Sequence, residues 1–337
     1  MDFAVVRLSS FGDVVLTEPV TRGIKAGFPG ARIWFITGAE YAQLPALFEA
    51  VDEVVPYRRQ GANEEISRLG GTVTFEAIID LQNNMRSRAI CRGLKKRRLV
   101  RYTRPVLKRF LLVKMPWLYR GDLRHTIDLY GDALGRLGAS LVDRVPRVMV
   151  GEGDLDEALK SPGPAPGAAT RVALCPGGSS DYKRWPESHF AGLADLLSAS
   201  GREVIVLGSE EDRRVVELVA ARAETSPDII VTPDVSRLAA SLSMAAVTVT
   251  NDSGLMHLAA AAGSRVVAIF GPTSPALGFA PLGEGHIVAG LELSCSPCSY
   301  HGNRPCRLKR RVCMEDLMPA EVLGAVETAL EEGGRHA

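Results

Sequence analysis

The stretch from Val247 to Pro275, VTVTNDSGLMHLAAAAGSRVVAIFGPTSP, decides the fold class. It alternates Val and Thr, passes through the polar loop NDSG into a run of small residues, and returns in the apolar run RVVAIF. This pattern predicts a strand, a helix and a second, parallel strand. In open α/β sheets the loops after the carboxyl ends of the strands form the ligand crevice. The stretch therefore predicts an α/β sheet with the NDSG loop at a binding site.

Two interpretations of the NDSG loop are open. The first turn of a helix carries unpaired N–H groups and partial positive charge, so a helix that begins at Ser253 and Gly254 suits a phosphate. The other interpretation is that Asp252 or Ser253 only caps a structural helix.

The composition is that of an ordinary globular protein, and 337 residues are enough for two α/β domains. Lys and Arg number 40 against 39 Asp and Glu, so no overall positive field favours nucleic acid as a partner. We find no run of about 18 apolar residues and no signal-peptide pattern at the N-terminus. These features predict a cytoplasmic protein.

Strands and helices are predicted to alternate in two halves of similar size. The first domain covers 1–150. A segment rich in Pro, Gly and Ala covers 151–170 and is predicted to be the interdomain linker. A second domain follows at 171–318, and a C-terminal helix at 319–337. Two such domains are expected to form a cleft, which is the usual place for a small-molecule site.

Each half has a polar, glycine-containing loop after its first strand. These loops are SSFGD at 9–13 and PGGSSDYKRWP at 176–186. Neither matches the dinucleotide fingerprint or the P-loop, which disfavours a nicotinamide enzyme and a P-loop kinase. A carboxylate in one half and anion-binding loops in the other suit a base that activates a hydroxyl while a diphosphate leaves. The alternatives are that Asp13 caps the first helix and that Lys183 is a solvated loop lysine.

Three strings resemble glycosyltransferase family 9, the lipopolysaccharide heptosyltransferases. They are VVRLSSFGDVVLTEPVTRGIKAGFPGARIWFITG, LCPGGSSDYKRWPESHFAGLADLL and TNDSGLMHLAAAAGSRVVAIFGPTSP, in that order. The resemblance implies a GT-B-type fold, with two Rossmann-like domains that face each other across a cleft. It also implies metal-independent, inverting transfer of a heptose from ADP-heptose to a phosphorylated, lipid-linked lipopolysaccharide core acceptor, with no required cofactor. The first domain would bind the acceptor and the second the nucleotide sugar.

The resemblance also implies roles for individual residues. Asp13 would be the general base, and Lys183 would contact the diphosphate. The residues implied in donor binding are Gly178, Ser179, Ser180, Asp252, Ser253, Gly254, His257, Gly271 and Thr273. Those implied on the acceptor side are Ser9, Ser10, Gly12 and Arg22.

Two alternatives are carried beside this function. One is a GT-B-type transferase or epimerase for another sugar nucleotide. The other is a non-catalytic module that binds a nucleotide sugar or a metal. The presence of Asp13, Lys183 and Asp252 together argues against the module, since a binding protein needs no base.

A dense basic run lies in the first half. It consists of Arg92, Lys95, Lys96, Arg97, Arg98, Arg101, Arg104, Lys108 and Arg109. With Trp117, Leu118 and Tyr119 close by, the run is a candidate contact for an anionic membrane surface or for acceptor phosphates. This would make the protein peripheral on the cytoplasmic face of the inner membrane. The alternative is a solvated face that guards a strand edge.

Four cysteines cluster near the C-terminus, in the loop 295–313. Cys295, Cys298, Cys306 and Cys313 are candidate ligands of a structural zinc or an iron–sulfur cluster, although the second pair lacks the tight spacing typical of such sites. Free thiols are the alternative. Cys91 and Cys175 are expected to be buried apolar residues.

Overall fold

Strands and helices alternate along the chain in a computed structural model, which describes residues 1–60, 63–115, 117–119, 121–159 and 170–334. The chain divides into two compact units. Unit 1 consists of Met1–Pro105 and Arg124–Met149, and unit 2 consists of Val106–Leu123 and Val150–Ala337.

The strands and helices are as follows. The strands are β1 (Asp2–Val6), β2 (Arg32–Gly38), β3 (Glu53–Tyr57), β4 (Thr74–Asp80), β5 (Lys95–Arg101), β6 (Arg171–Cys175), β7 (Glu203–Gly208), β8 (Asp228–Val231), β9 (Val247–Asn251), β10 (Arg265–Ile269) and β11 (Ile287–Ala289). The helices are α1 (Phe11–Val15), α2 (Glu18–Gly27), α3 (Glu64–Thr72), α4 (Met85–Gly93), α5 (Val106–Lys114), α6 (Thr126–Gly135), α7 (Glu152–Leu159), α8 (Glu187–Ala199), α9 (Arg213–Arg222), α10 (Val235–Ser243), α11 (Gly254–Ala261), α12 (Val312–Glu315) and α13 (Pro319–Gly334).

Unit 1 contains a parallel five-stranded sheet in the order β3-β2-β1-β4-β5. The inner strands are mostly apolar and are buried over most of their length, as expected of strands covered on both faces. The chain reverses its direction across the sheet between β1 and β4. The crevice outside the carboxyl ends of these two strands is therefore the expected ligand site, and the loop that carries Asp13 leaves β1 there.

Unit 2 contains a parallel six-stranded sheet in the order β11-β10-β9-β6-β7-β8. The reversal lies between β6 and β9. At that point the loop with Lys183 follows β6 and the loop with Asp252 follows β9. The two loops singled out from the sequence thus leave neighbouring strands, and the predicted strand–helix–strand unit is β9, α11 and β10. The prediction of two parallel-sheet α/β domains is confirmed.

The structure differs from the sequence-based expectation in three places. The helix predicted after the first strand, with a kink or a short first turn expected at Pro19, is two helices, because α1 ends at Val15 and α2 begins at Glu18, with Pro19 in its first turn, where a missing N–H costs nothing. The predicted linker contains α7, and Ser236 Oγ on α10 donates a 3.0 Å hydrogen bond to Asp154 Oδ1. Residues 106–123, placed in the first domain from the sequence, pack with unit 2.

Residues 160–169 of the predicted linker lie outside the described residues. Within the described part of the chain, no helix has the length and apolarity needed to cross a bilayer.

Candidate active site

Asp13 lies in the first turn of α1, and its side chain takes part in the N-terminal cap of this helix. Ser10 is the N-cap, and Asp13 Oδ2 accepts hydrogen bonds from the Ser10 backbone N–H at 3.3 Å and from Ser10 Oγ at 2.9 Å. This reciprocal arrangement satisfies donors that a helix start leaves unpaired. The capping role considered from the sequence is therefore present, with Ser10 as the cap and Asp13 as its partner.

Asp13 is also half of an ion pair with Arg7, at the end of β1. Arg7 Nη2 lies 2.6 Å from Asp13 Oδ2, and the side chains are 8% and 21% exposed respectively. Burial acts to lower the pKa of Arg7, but the charge of Asp13, with smaller effects of Tyr130 and Tyr102, raises it overall. Arg7 is thus a permanent cation behind the carboxylate.

Other residues of the loop 9–13 and its neighbour Leu8 are held by Gln82, which follows β4. The backbone N–H groups of Leu8 and Ser9 both donate to Gln82 Oε1, at 3.0 and 3.2 Å. Gly12 is buried in the first turn of α1. Arg7 and Gln82 were not identified from the sequence, because Gln82 belongs to no motif and Arg7 is fixed by Leu81 and Tyr130, which are distant in sequence.

Arg22, predicted on the acceptor side, contacts Glu18 and Val145. Its Nε donates to Glu18 Oε1 at 2.7 Å and its Nη2 to the Val145 carbonyl at 2.7 Å. Glu18 is almost fully buried and also accepts from the Arg147 backbone N–H. These contacts fasten α2 to the 143–147 segment and do not bring Arg22 to the other predicted acceptor residues.

The donor-side residues converge at the reversal point of unit 2. Lys183 Nζ lies 3.4 Å from Asp252 Oδ2, and Thr273 Oγ1 donates to the same oxygen at 2.7 Å. The Lys183 side chain is only 11% exposed. It is therefore not the solvated loop lysine that the sequence left open, and Asp252 is not the cap of α11, since Ser253 occupies that position.

Asn251, the last residue of β9, ties the two donor loops together. Its Nδ2 donates to the Pro176 and Gly177 carbonyls at 2.9 and 3.0 Å, and its Oδ1 accepts from the Trp185 backbone N–H at 2.9 Å. Asn251 is fully buried. The sequence placed it in a polar loop without a role, yet its three hydrogen bonds fix both loops.

The loop after β6 presents backbone and hydroxyl groups. The Gly178 carbonyl accepts from Arg184 Nε and Nη2 at 2.9 and 2.6 Å, and Ser179 is exposed beside it. Ser180 Oγ accepts from the Tyr182 backbone N–H at 3.3 Å and donates to the Gly302 carbonyl at 2.6 Å. Ser180 thus connects this loop to the cysteine loop.

The start of α11 has the features of an anion site. Ser253 is its N-cap in extended conformation, and its side chain does not cap the first turn. Ser253 Oγ instead lies 3.3 Å from Thr250 Oγ1. Gly254 opens the helix, while His257 is buried in its second turn. The first N–H groups of α11 are therefore not closed by the N-cap side chain.

The cysteine loop packs on the donor site through Gly271 and its neighbours. Ser296 Oγ donates to the Gly271 carbonyl at 2.7 Å, and the Cys298 and Ser299 N–H groups donate to the Pro272 carbonyl at 3.0 and 3.1 Å. A side chain at Gly271 would collide with Met314. These contacts bring the loop next to Gly271 and Pro272. The adjacent Thr273 in turn donates to Asp252.

The four loop cysteines line one cavity of about 30 Å³. Burial, reinforced by the neighbouring cysteines, raises the pKa of Cys298, and it raises that of Cys313 to about 11. Cys306 Sγ donates to the Arg310 carbonyl at 3.0 Å. Among the described residues, no three His, Cys, Asp or Glu side chains are arranged to hold a metal ion. The predicted zinc or iron–sulfur site is not supported by this arrangement, while Cys91 and Cys175 are buried as expected.

Comparison with known proteins identifies the family. Residues 67–308 match glycosyltransferase family 9 (heptosyltransferase). The chain is 26% identical to lipopolysaccharide heptosyltransferase 1 of Pseudomonas aeruginosa, over 98% of each chain, and 28% identical to lipopolysaccharide heptosyltransferase 2 of Salmonella typhimurium, over 82% and 84%. Its fold is similar to that of the E. coli ADP-heptose lps heptosyltransferase II, with a TM-score of 0.76 at 20% identity over 99% and 100% of the chains.

These matches confirm the resemblance and make the protein an enzyme, so the non-catalytic module is not retained. The family match spans the loop after β6, the Asp252 loop and most of the cysteine loop, while Arg7 and the loop 9–13 lie before its first residue. The chain belongs to glycosyltransferase family 9.

Proposed function

We propose that this enzyme transfers a heptose from ADP-heptose to a phosphorylated, lipid-linked acceptor of the lipopolysaccharide core, with inversion at the anomeric carbon. The observation that carries the proposal is the cluster of Lys183, Asp252 and Thr273 at the reversal point of unit 2. It occurs in a chain whose full-length relatives are lipopolysaccharide heptosyltransferases.

Lys183 is assigned to the diphosphate of the donor. The Lys183 ammonium is largely shielded from water and is held in place by Asp252. Little rearrangement of the site is therefore needed when negative charge develops on the leaving group. Asp252 would itself repel a diphosphate, and we therefore assign it to orienting Lys183 and to the sugar hydroxyls.

The remaining donor residues offer neutral groups. The N–H groups at the start of α11, with Ser253 and Gly254, and the loop of Gly178, Ser179 and Ser180 are assigned to phosphate oxygens. Thr273 donates a hydrogen bond to Asp252, and the Gly271 carbonyl accepts one from Ser296. The side chain of His257, on α11, is buried.

Asp13 is assigned as the general base. The acceptor hydroxyl gives its proton to the Asp13 carboxylate as its oxygen bonds to the anomeric carbon, and the bond from that carbon to the diphosphate breaks, with ADP leaving as the anion. A general base contributes ~10²- to 10⁴-fold, and orientation about 7 to 11 kcal/mol, so several groups must act together. The scheme requires no metal ion and no cofactor.

The acceptor side is assigned to the loop of Ser9, Ser10 and Gly12. Ser9 lines a small cavity of about 10 Å³ together with Arg59 and Arg86. Two guanidinium groups beside a base loop suit an acceptor that carries phosphates, because arginine binds phosphate through paired hydrogen bonds.

A second proposal concerns an anionic membrane surface on the cytoplasmic side. Residues 81–121 contain thirteen Lys and Arg and no Asp or Glu, in a chain that is otherwise acidic. Within this segment Leu112 and Val113 of α5 are buried in a small apolar cluster, while other apolar side chains of the segment are exposed to solvent. The exposed residues are Val106, Leu107, Phe110, Trp117 and Leu118. Positive charge with exposed Trp and Leu is the composition of an interfacial membrane contact.

Transfer assays with different donors test the first proposal. ADP-heptose, other ADP-sugars, UDP-sugars and GDP-sugars are each incubated with a truncated lipopolysaccharide acceptor, and products are measured by mass spectrometry. We expect transfer from ADP-heptose alone and, by NMR, an anomeric configuration opposite to that of the donor. Transfer only from another sugar nucleotide would overturn the donor assignment, and retained configuration would overturn inversion.

A further inference from the structure

Arg7 is a buried cation that the reaction scheme above does not use. It follows β1 at the reversal point of unit 1, and only 6% of the residue is exposed. A buried charge is costly unless it is paired and hydrogen-bonded, so its partners indicate why it is there.

Arg7 makes four directed contacts. Its Nε donates to the Ser9 carbonyl at 2.7 Å, and its Nη1 donates to the Leu81 carbonyl at 2.7 Å and to Tyr130 Oη at 2.8 Å. Its Nη2 pairs with Asp13 Oδ2 at 2.6 Å. The first three contacts hold the planar guanidinium on the loop after β1, on the residue that follows β4 and on α6. The fourth directs it at Asp13.

A purely structural role does not account for a cation here. Two carbonyls and a hydroxyl are neutral, and a neutral donor would satisfy them. The Asp13 carboxylate is the partner that benefits from a positive charge. The cation also lies on the inner side of the pair, since the Arg7 side chain is less exposed than that of Asp13.

We propose that Arg7 is a positioning residue that holds the catalytic carboxylate from behind, and this inference rests on the proposed role of Asp13 as general base. The ion pair fixes the orientation of the carboxylate until the acceptor hydroxyl delivers its proton. Arg7 exchanges no atom and no electron with the substrates. The planar guanidinium suits this task, because its Nε and Nη1 are anchored by neutral groups while its Nη2 faces the carboxylate.

The test compares Arg7→Met, Arg7→Lys and Arg7→Ala in the full-length enzyme, with kcat and KM for ADP-heptose and the thermal midpoint measured for each. Misplacing a reacting group by about 1 Å costs roughly 10²-fold in rate, so we expect kcat of Arg7→Met to fall by about that factor. The KM for ADP-heptose should stay within about twofold, because the donor site lies in unit 2. Arg7→Lys should recover part of the loss, since it restores the charge without the fork.

Chemical rescue separates positioning from folding. Millimolar guanidinium chloride should raise kcat of Arg7→Ala several-fold, whereas NaCl at equal ionic strength should not. Tyr130→Phe serves as the matched variant, because it removes a neutral contact of Arg7 and retains the ion pair; we expect a much smaller loss of kcat than in Arg7→Met.

Three outcomes are decisive. Wild-type kcat in Arg7→Met overturns the inference, and so does a loss of activity in all Arg7 variants that follows the thermal midpoint and is not rescued by Lys or guanidinium. If the wild-type enzyme transfers a different sugar, the donor assignment fails instead, and the Arg7 comparison is made with that donor.

Discussion

The carboxylate of Asp13 has two structural partners and one proposed chemical role. It completes the N-terminal cap of α1 through Ser10 and it pairs with Arg7. A residue held by both a helix start and a cation has little freedom, which suits a base that must meet one hydroxyl.

Replacing Asp13 by Asn tests the base without changing its shape. We expect kcat to fall by ~10²- to 10⁴-fold, because an amide cannot take the proton. The affinity for ADP, measured by calorimetry, should change by less than about twofold, since the donor loops are in unit 2. Asp52→Asn is the control, because it makes the same change at a carboxylate that pairs with Lys25 on the surface of unit 1. Wild-type turnover in Asp13→Asn would remove Asp13 from the mechanism.

Replacing Lys183 by Ala tests the donor cation. A hydrogen bond to a charged group contributes about 1.5 to 3 kcal/mol, so the KM for ADP-heptose should rise by roughly 10- to 100-fold. Lys25→Ala is the matched control, because Lys25 forms an ion pair with Asp52 on the surface of unit 1. An unchanged KM in Lys183→Ala would contradict the assignment to the diphosphate.

At the residue level, the sequence predicted the groups that belong to motifs and missed those defined by distant contacts. Asp13, Lys183 and Asp252 stand in recognisable loops. Arg7 and Asn251 lie in or beside the same loops, but the sequence gives them no role, because Arg7 meets Tyr130 at a sequence separation of 123 and Asn251 meets Pro176 at 75. Only the fold brings these pairs together.

Among the structural elements, the cysteine loop supports the donor lysine. Gly302 has a φ of +64°, and a side chain at this position would collide with Lys183 Cγ and Cδ. Arg311 Nη1 also donates to the Asp181 and Arg184 carbonyls on either side of Lys183. The loop therefore helps to position Lys183, the residue assigned to the donor diphosphate.

Gly302→Ala should weaken donor binding by displacing Lys183. We expect the KM for ADP-heptose to rise by about tenfold, equivalent to about 1.4 kcal/mol. Gly201→Ala is the matched control, because Gly201 also has positive φ, at +74°, but has no atom near its missing side chain. Both variants should lose thermal stability, and only Gly302→Ala should lose donor affinity. Equal KM values in the two variants would contradict the coupling.

The cysteine loop should also respond to pH. The thiolate is the form that reacts with iodoacetamide. Because burial and the neighbouring cysteines raise the pKa of Cys313 to about 11, its thiol stays protonated up to more alkaline pH than an ordinary cysteine. Its alkylation rate, followed by peptide mass spectrometry, should be low at pH 8 and half-maximal near pH 11. Rapid labelling of Cys313 at pH 8 would contradict this environment.

The elements missed from the sequence are those with weak local signals. β11 has three residues and follows a segment rich in Gly and Pro. α7 begins with acidic residues but lacks a regular apolar face of its own, and α10 packs against it. By contrast, β9, α11 and β10 carry strong periodic patterns and agree with the prediction to within one or two residues.

For the whole molecule, charge is distributed unevenly along a nearly neutral chain. Thirteen of its 40 basic residues lie in 81–121. Each basic residue near an anionic bilayer contributes about 1 kcal/mol, and this attraction weakens as salt screens it.

Vesicle sedimentation tests the membrane proposal. The wild-type protein should bind vesicles with 30% anionic lipid at low salt, with binding reduced at high salt and absent with neutral vesicles. Trp117→Ala and Leu118→Ser should each lower the bound fraction, because these side chains are 67% and 63% exposed. Ile229→Ser, at an exposed position on β8, is the control. If the bound fraction of the wild-type protein does not depend on anionic lipid, the membrane proposal is wrong.

The amide of Asn251 has a consequence for how this enzyme diversifies. One carboxamide clamps two loops that are separated by some seventy residues of chain, so an insertion in either loop would release both. Changes of length are thus tolerated poorly at this end of the sheet. A relative that evolves a different donor preference is therefore expected to do so by substitutions around these two loops. The length of each loop is expected to stay the same.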